Sequence, residues 1–416
     1  MDNTVSITQI RKFVLANQFL RIKNQINSPL DILKKIHNIQ IDTISVVARS
    51  HDLILFNRLS NYREKDIWKF EKEGKIFEYF SHSLCFLPIE EYPFYMWIID
   101  YMSKNPGEWT KNWIKDNQTV IDRVYNQVKK AGPTCSSDFK NTTKVKREGW
   151  WEIKAENIAL KYLFHTGKLL ISHRKGFQRY YDLPERVIPP NIDSEPMEKE
   201  EIPFHMLNVI LNALGVVSVA DIQNYLGNIF PKLIWDNKKE LINEFLIENE
   251  NKDIITRIKI KDLENEYYLI ENEYDDFIKT LKDNDDKLPV KLLSPFDNII
   301  RDRYYPKKMW NFDYTFEAYL PKRKRQFGFY LLPILDNCEL IGNIDAKVYR
   351  KEKKIELISI YLEKDLDENL LIRLVEGIIN FAKFNNCDKI VLSQTYPQNI
   401  KKALIPEIKD IMEKQS

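Results

Sequence analysis

The stretch WEIKAENIALKYLFH (Trp151–His165), followed by Gly167, KLLISHR (Lys168–Arg174), Lys175-Gly176 and FQRYYDL (Phe177–Leu183), decides the fold. Its first block has helical spacing, the glycine ends it, and the two short runs read as strands turned at Lys175-Gly176. Upstream, a long amphipathic helix is expected near Lys111–Lys130, stopping at Ala131-Gly132-Pro133, and Cys135-Ser136-Ser137-Asp138-Phe139 starts a short one. Three helices and a hairpin in that order form a winged helix-turn-helix. Such a unit commonly lays its third helix in a DNA groove and its wing on the backbone.

Outward from this block, the acidic, proline-containing run from Pro189-Pro190-Asn191 to Pro203 marks a boundary. Beyond it the same order returns: Phe204–Leu214, Ser218–Leu226, a helix around Lys238–Glu248, then ITRIKIK and YYLIE. The N-terminal part reads as helices (Ile7–Leu20, one capped by Ser28, one after Ser50, one near Lys65–Lys72) with a short strand at Ile39-Gln40-Ile41-Asp42. The β-prone KIFEYFSHSLCFLP follows. From Asp283 a loop at Asn284-Asp285-Asp286 leads into LLSPFD (Leu292–Asp297) and the runs FDYTFEAYLP, FGFYLLPIL, LIGNIDAKVY and KIELISIYL. These are expected to form an antiparallel sheet or small barrel, completed by a helix (Glu368–Phe384) and a strand (KIVLSQ). The expected class is α+β, with tandem winged helices and a C-terminal β-rich domain. Its four domains are 1–107 with the candidate catalytic strand, 108–190, 202–282 and 283–416.

Across 416 residues, 44% are hydrophobic and 30% charged, the range of a folded globular chain. The 63 Lys and Arg against 61 Asp and Glu leave +2, so a nucleic-acid surface must be a local basic patch. No apolar run reaches the ~18 residues that span a bilayer, and the first residues lack a leader pattern, so a cytoplasmic protein is expected. Four scattered cysteines, six histidines without HxxxH spacing and eleven glycines without a phosphate-cradling run point to no disulfide framework, metal or nucleotide cofactor.

On a strand, Gln40 and Asp42 share one face, ~7 Å apart at the α-carbons, with Ile39 and Ile41 turned to the core. A carboxylate and an amide held side by side suit hydrolysis: Asp42 accepts a proton from water and Gln40 orients that water or stabilises a positive sugar. Read alone, the pair suits a polar strand face as well. Basic runs stand at Lys144-Val145-Lys146-Arg147, Arg174-Lys175, Arg301–Lys308 and Lys322-Arg323-Lys324-Arg325. Each is either a solvated face or a set of phosphate contacts, and four of them, one on the expected wing, favour DNA. His51, His82 and His165 suit structural roles, as does Cys85 as a small buried hydrophobe.

The sequence resembles the AlkZ/YcaQ winged-helix DNA glycosylases. The resemblance is carried by Ile39-Gln40-Ile41-Asp42 and Val47-Ala48-Arg49-Ser50-His51-Asp52-Leu53. Further blocks are Trp151-Glu152, Leu163-Phe164-His165-Thr166-Gly167, Gly176-Phe177-Gln178-Arg179 and Tyr181-Asp182-Leu183-Pro184-Glu185-Arg186. In the last third they are Leu292–Asp297, Asp302-Arg303, Phe312-Asp313-Tyr314, Phe316-Glu317 and Phe327-Gly328-Phe329-Tyr330. The family signature is Gln–aliphatic–Gln or, in the YcaQ-like branch, Gln–aliphatic–Asp, and Gln40-Ile41-Asp42 resembles the second. The resemblance implies excision of N7-alkylated purines and, in this branch, unhooking of interstrand crosslinks, on double-stranded DNA and without a cofactor.

That substrate fits the chemistry, because N7 alkylation makes the purine cationic and a better leaving group. Asp42 and Gln40 are expected to be catalytic. Arg49 and His51 are candidates for lesion or phosphate contacts by proximity, and Arg174, Lys175, Arg179, Arg301, Arg303, Lys322, Arg323, Lys324 and Arg325 for DNA contacts. No lysine nucleophile stands beside the motif, which favours a monofunctional enzyme. A crosslinked base cannot swing fully out, so Gln40 and Asp42 are expected to lie exposed at the floor of an open basic cleft. The rival reading is a non-catalytic winged-helix transcription regulator.

Overall fold

A computed structural model of the protein describes residues 4–21, 28–139, 144–146, 152–225, 238–261, 263–273, 278–279 and 288–414. The chain packs into two compact units. One holds Met1–Glu64, Met206–Gly227 and Trp235–Ser416, the other Lys65–His205 and Asn228–Ile234. α-Helices and β-strands mix in both, in keeping with the class expected from the sequence.

In the first unit, the helix Ile7–Asn17 starts with a capping box: the Gln9 amide donates to the Ser6 hydroxyl and the Ser6 amide to the Gln9 side chain. Ser28 likewise accepts the Leu30 amide and starts Pro29–Ile36, whose stripe Ile32, Leu33 and Ile36 is buried. The strand Thr4–Val5 lies parallel to Ile255–Ile260, which pairs antiparallel with Glu266–Ile270. The helix Ile202–Leu214, which enters this unit at Met206, and the helices Val219–Tyr225 and Lys238–Asn251 precede that hairpin in sequence.

The C-terminal strands form one open five-stranded sheet: Lys291–Leu292, Leu331–Asp336, Glu339–Tyr349, Lys354–Leu362 and Lys389–Tyr396 in spatial order. It does not close into a barrel. Its first four strands run antiparallel, and the last lies parallel to its neighbour, reached through the helix Glu368–Phe384. A further helix, Asn399–Lys414, is not among the elements expected from the sequence. FDYTFEAYLP is not a strand. The buried Glu317 carboxylate accepts the amides of Gln326, Phe327 and Gly328, each at 3.0 Å, and the segment turns as a 3-10 helix over Glu317–Tyr319. Gly328 is required at this clasp, since a Cβ there would stand 2.3 Å from the Asp345 carboxylate.

The core of the sheet takes in residues from far upstream. Val47, Ala48 and Leu53 are buried in one cluster with Leu332, Ile344 and Ile360 of the sheet and Leu374, Ile378 and Phe381 of the helix. Each of these side chains larger than alanine contributes about 1.5–3 kcal/mol by leaving water. The segment that follows Asp42 is therefore built into the C-terminal core.

The second unit carries the hairpin Ile76–Phe80/Leu84–Pro88, the helices Tyr92–Lys104 and Ala155–His165, and the hairpin Leu170–Lys175/Gln178–Asp182. The single helix expected near Lys111–Lys130 is two, Glu108–Asp116 and Gln118–Ala131. Asn117 breaks it: its side chain donates back to the Trp113 carbonyl at 2.9 Å while its own φ moves to −127°. The helix expected from Trp151 begins at Ala155, because Glu152–Lys154 is a strand paired with Lys144–Lys146. Trp151, Arg147 and the Asn284-Asp285-Asp286 loop lie outside the described residues.

Candidate active site and nucleic-acid interface

The helix Pro29–Ile36 ends at His37, whose φ is 65°, and the chain then enters the two-residue strand Ile39–Gln40. Ile39 and Ile41 are buried, as expected of the inward positions. The strand stops before Asp42. The Asp42 Oδ1 accepts the Ile44 amide at 2.6 Å, and this local turn replaces the period-two ribbon expected to put Gln40 and Asp42 on one face. Gln40 is 7% exposed, so it does not lie open at a cleft floor, whereas Asp42 is half-buried and reaches solvent. Burial pushes the Asp42 carboxyl above its ordinary value, and the Ile44 amide holds it partly back.

Several distant segments hold the Asp42 loop. The Val348 amide donates to Val46 O at 2.9 Å, and Arg350 donates to the carbonyls of Ser45 and Val47. The LLSPFD block grips what lies on either side. Ser294 meets Ser50 at 2.9 Å, Asn57 donates to Leu292 O at 2.8 Å, and Asp297 forms a fork with Arg58. Asn298 donates to Ile36 O at 2.9 Å and so satisfies the end of the preceding helix. Leu292–Asp297 stands out in the sequence as a block, but nothing there gives a role to Ser294, Asp297 or Asn298. Their partners lie more than 200 residues away, and no local pattern reveals them.

His51 is 1% exposed, with its Nε2 3.4 Å from the Asp52 carboxylate. Asp52 also accepts the Tyr62 hydroxyl at 2.7 Å, and burial raises its carboxyl to about 7. Arg49, partly exposed, stands just ahead of the helix Ser50–Phe56.

The candidate cations divide by environment. In the second unit, Arg174 is buried in a fork with Glu78 (2.5 and 2.6 Å) and stacks over Phe177 at 4.5 Å. Lys175, next to it, is exposed, and Arg179 partly so. They flank a two-residue turn, Gly176-Phe177, in which both residues have positive φ. In the first unit, Arg301 lies over Tyr225 at 4.6 Å. Arg303 donates to the carbonyls of Pro295 and Ile300 and lies over Tyr314, and burial lowers its pKa. Lys322, Arg323 and Lys324 form one exposed turn, and Arg325 folds back onto Leu320 O and Phe329. The side chains of Lys144–Lys146 lie outside the described residues. Among the described residues, no group of three His, Cys, Asp or Glu could hold a metal ion, and no helix is long and apolar enough to cross a membrane.

A solved structure of the Streptomyces sahachiroi DNA glycosylase AlkZ superposes on this chain with a TM-score of 0.60 at 13% identity, covering 94% of this chain and 99% of that one. At that identity the likeness is one of fold. A family profile described as "DNA glycosylase AlkZ-like" matches residues 33–372, a span that includes Gln40, Asp42, the LLSPFD block and most of the C-terminal sheet. The chain belongs to the AlkZ-like DNA glycosylase family.

Proposed function

We propose that the protein hydrolyses the N-glycosidic bond of N7-alkylated purines in double-stranded DNA and unhooks crosslinks made through the same atom. The observation that carries this reading is the half-buried Asp42 carboxylate, with one oxygen tied to the Ile44 amide and the loop around it locked into the C-terminal core. A fixed carboxylate of raised pKa suits a general base. Water attacks C1′ and gives its proton to Asp42. The C1′–N9 bond breaks, and its electron pair neutralises the cationic purine, which leaves. Gln40, held in the interior beside Asp42 in sequence, acts from the protein side to position the attack. No covalent sugar–enzyme bond is required, which makes the enzyme monofunctional.

The helix-rich segments that end in the hairpins Leu170–Asp182 and Ile255–Ile270 are read as winged helices. Lys175 and Arg179 on the first hairpin and, separately, the exposed Lys322–Lys324 turn of the other unit are taken as the phosphate-contacting cations. Arg174 serves the fold. The test is a duplex carrying one N7-methylguanine, incubated with the wild type and with Asp42→Asn. Base release by the wild type, abolished in the variant while DNA binding persists, supports the reading. Binding with no release by the wild type overturns it in favour of a regulator.

A further inference from the structure

Tyr319 is 76% exposed, the most open large aromatic among the described residues. A tyrosine side chain can bury ~150–250 Å² when a partner covers it. This one is not loose. It ends the 3-10 turn Glu317–Tyr319, which the buried Glu317 carboxylate ties to Gln326, Phe327 and Gly328. The Phe316 ring braces it at 5.5 Å and 77°, and Phe316 itself packs on Phe296 at 5.0 Å and Tyr330 at 5.6 Å.

The same aromatic bed adjoins the candidate site. Phe316 packs against the core cluster that contains Val47, Ala48 and Tyr330, and Ile44, the residue whose amide holds Asp42, packs against it too. Burial and the Asp42 charge both raise the Tyr319 phenol. Immediately downstream, Lys322, Arg323 and Lys324 stand exposed, where a sugar-phosphate chain would be held.

We propose that Tyr319 stacks on the damaged base and selects it by its charge. This deepens the reading of Asp42 as a glycosylase base and rests on it. A tyrosine face carries negative quadrupole density, so it attracts a purine made cationic at N7 more strongly than a neutral one. The braced ring then discriminates before any bond breaks. Tyr319 is a specificity-determining residue that distinguishes alkylated from undamaged guanine.

The test uses the full chain and two duplexes, one unmodified and one with a 2′-fluoro-stabilised N7-methylguanine that resists hydrolysis. The wild type should prefer the cationic duplex. Tyr319→Phe should keep that preference, and Tyr319→Leu should lose about 5–30-fold of it, weakening the cationic duplex by that factor more than the unmodified one. Equal weakening on both duplexes, or full preference retained by Tyr319→Leu, overturns the assignment. Base release from the hydrolysable N7-methylguanine duplex is measured alongside. If the wild type releases none, the glycosylase reading itself fails, and this inference with it. If release is normal and only the Leu variant's preference stays intact, the assignment of Tyr319 alone fails.

Discussion

Arg58 and Asp297, 239 positions apart, meet in a fork of 2.6 and 2.9 Å with neither side chain reaching solvent (0% each). The remaining Arg58 donors go to Gln18 O at 2.8 Å, Ile54 O at 3.1 Å and Gln18 Oε1 at 3.2 Å, so every N–H of the guanidinium is used. This cation fastens the helix after the Asp42 loop to the LLSPFD turn. Removing its counter-charge strands it in the interior. Asp297→Ala is expected to cost about 3–5 kcal/mol, read as a lower urea midpoint. A variant that unfolds with the wild type would show the fork to be ornamental.

Asp42→Asn separates chemistry from architecture. The amide oxygen still accepts the Ile44 amide, so folding should hold, while the proposed proton acceptor is gone. Single-turnover base release should fall by at least about 10²-fold. In the wild type a general base works only when ionised. Burial raises the Asp42 carboxyl, so the rate should fall with acidification at a pH above the ordinary 3.8, and the Asn variant should lack that limb. A flat wild-type profile through the acid range sinks Asp42 as the base.

How much of this was legible depended on the range of the interaction. The caps at Ser6 and Ser28 were local, and their helices stand as read. The strand face shared by Gln40 and Asp42 was not, because a side chain capturing an amide two residues on outcompetes a ladder that periodicity alone suggests. Arg174 and Lys175 look alike in sequence. Glu78, 96 positions away, draws one inside and leaves the other out. FDYTFEAYLP alternates like a strand, yet the Glu317 clasp turns it.

Lys322, Arg323 and Lys324 make a separable electrostatic prediction. Every phosphate left without its cation reduces the slope of log affinity against log salt by about 0.9. Replacing all three by alanine should flatten the slope by up to about 2.7 and leave thermal stability unchanged, since all three are exposed. Arg174→Ala should do the reverse. It leaves Glu78 uncompensated in the interior, next to a Glu71 that burial and the Glu78 charge already push up to about 9, and so costs stability first. Salt titration of duplex binding beside a melting curve distinguishes the two behaviours.

Asp52 gives the fold a pH dependence of unusual sign. Burial raises its carboxyl from 3.8 to about 7, against the Tyr62 hydroxyl and Arg49, which favour the ionised form; Glu64 adds to the rise. Well below pH 3.8 the group is protonated whether the chain is folded or not, and its contribution is fully present. Between there and pH 7 the unfolded chain ionises first, so fewer protons are bound in that state and stability falls as pH rises. Above about pH 7 the decrease reaches its limit, on the order of 4 kcal/mol. Asp52→Asn keeps an oxygen for Tyr62 and has nothing to ionise. Its urea midpoint should therefore drop less than that of the wild type between about pH 5 and pH 8, and it should be the more stable protein at the upper end. Parallel curves for the two proteins would show that the Asp52 carboxyl ionises alike in the folded and unfolded chain and overturn the raised value.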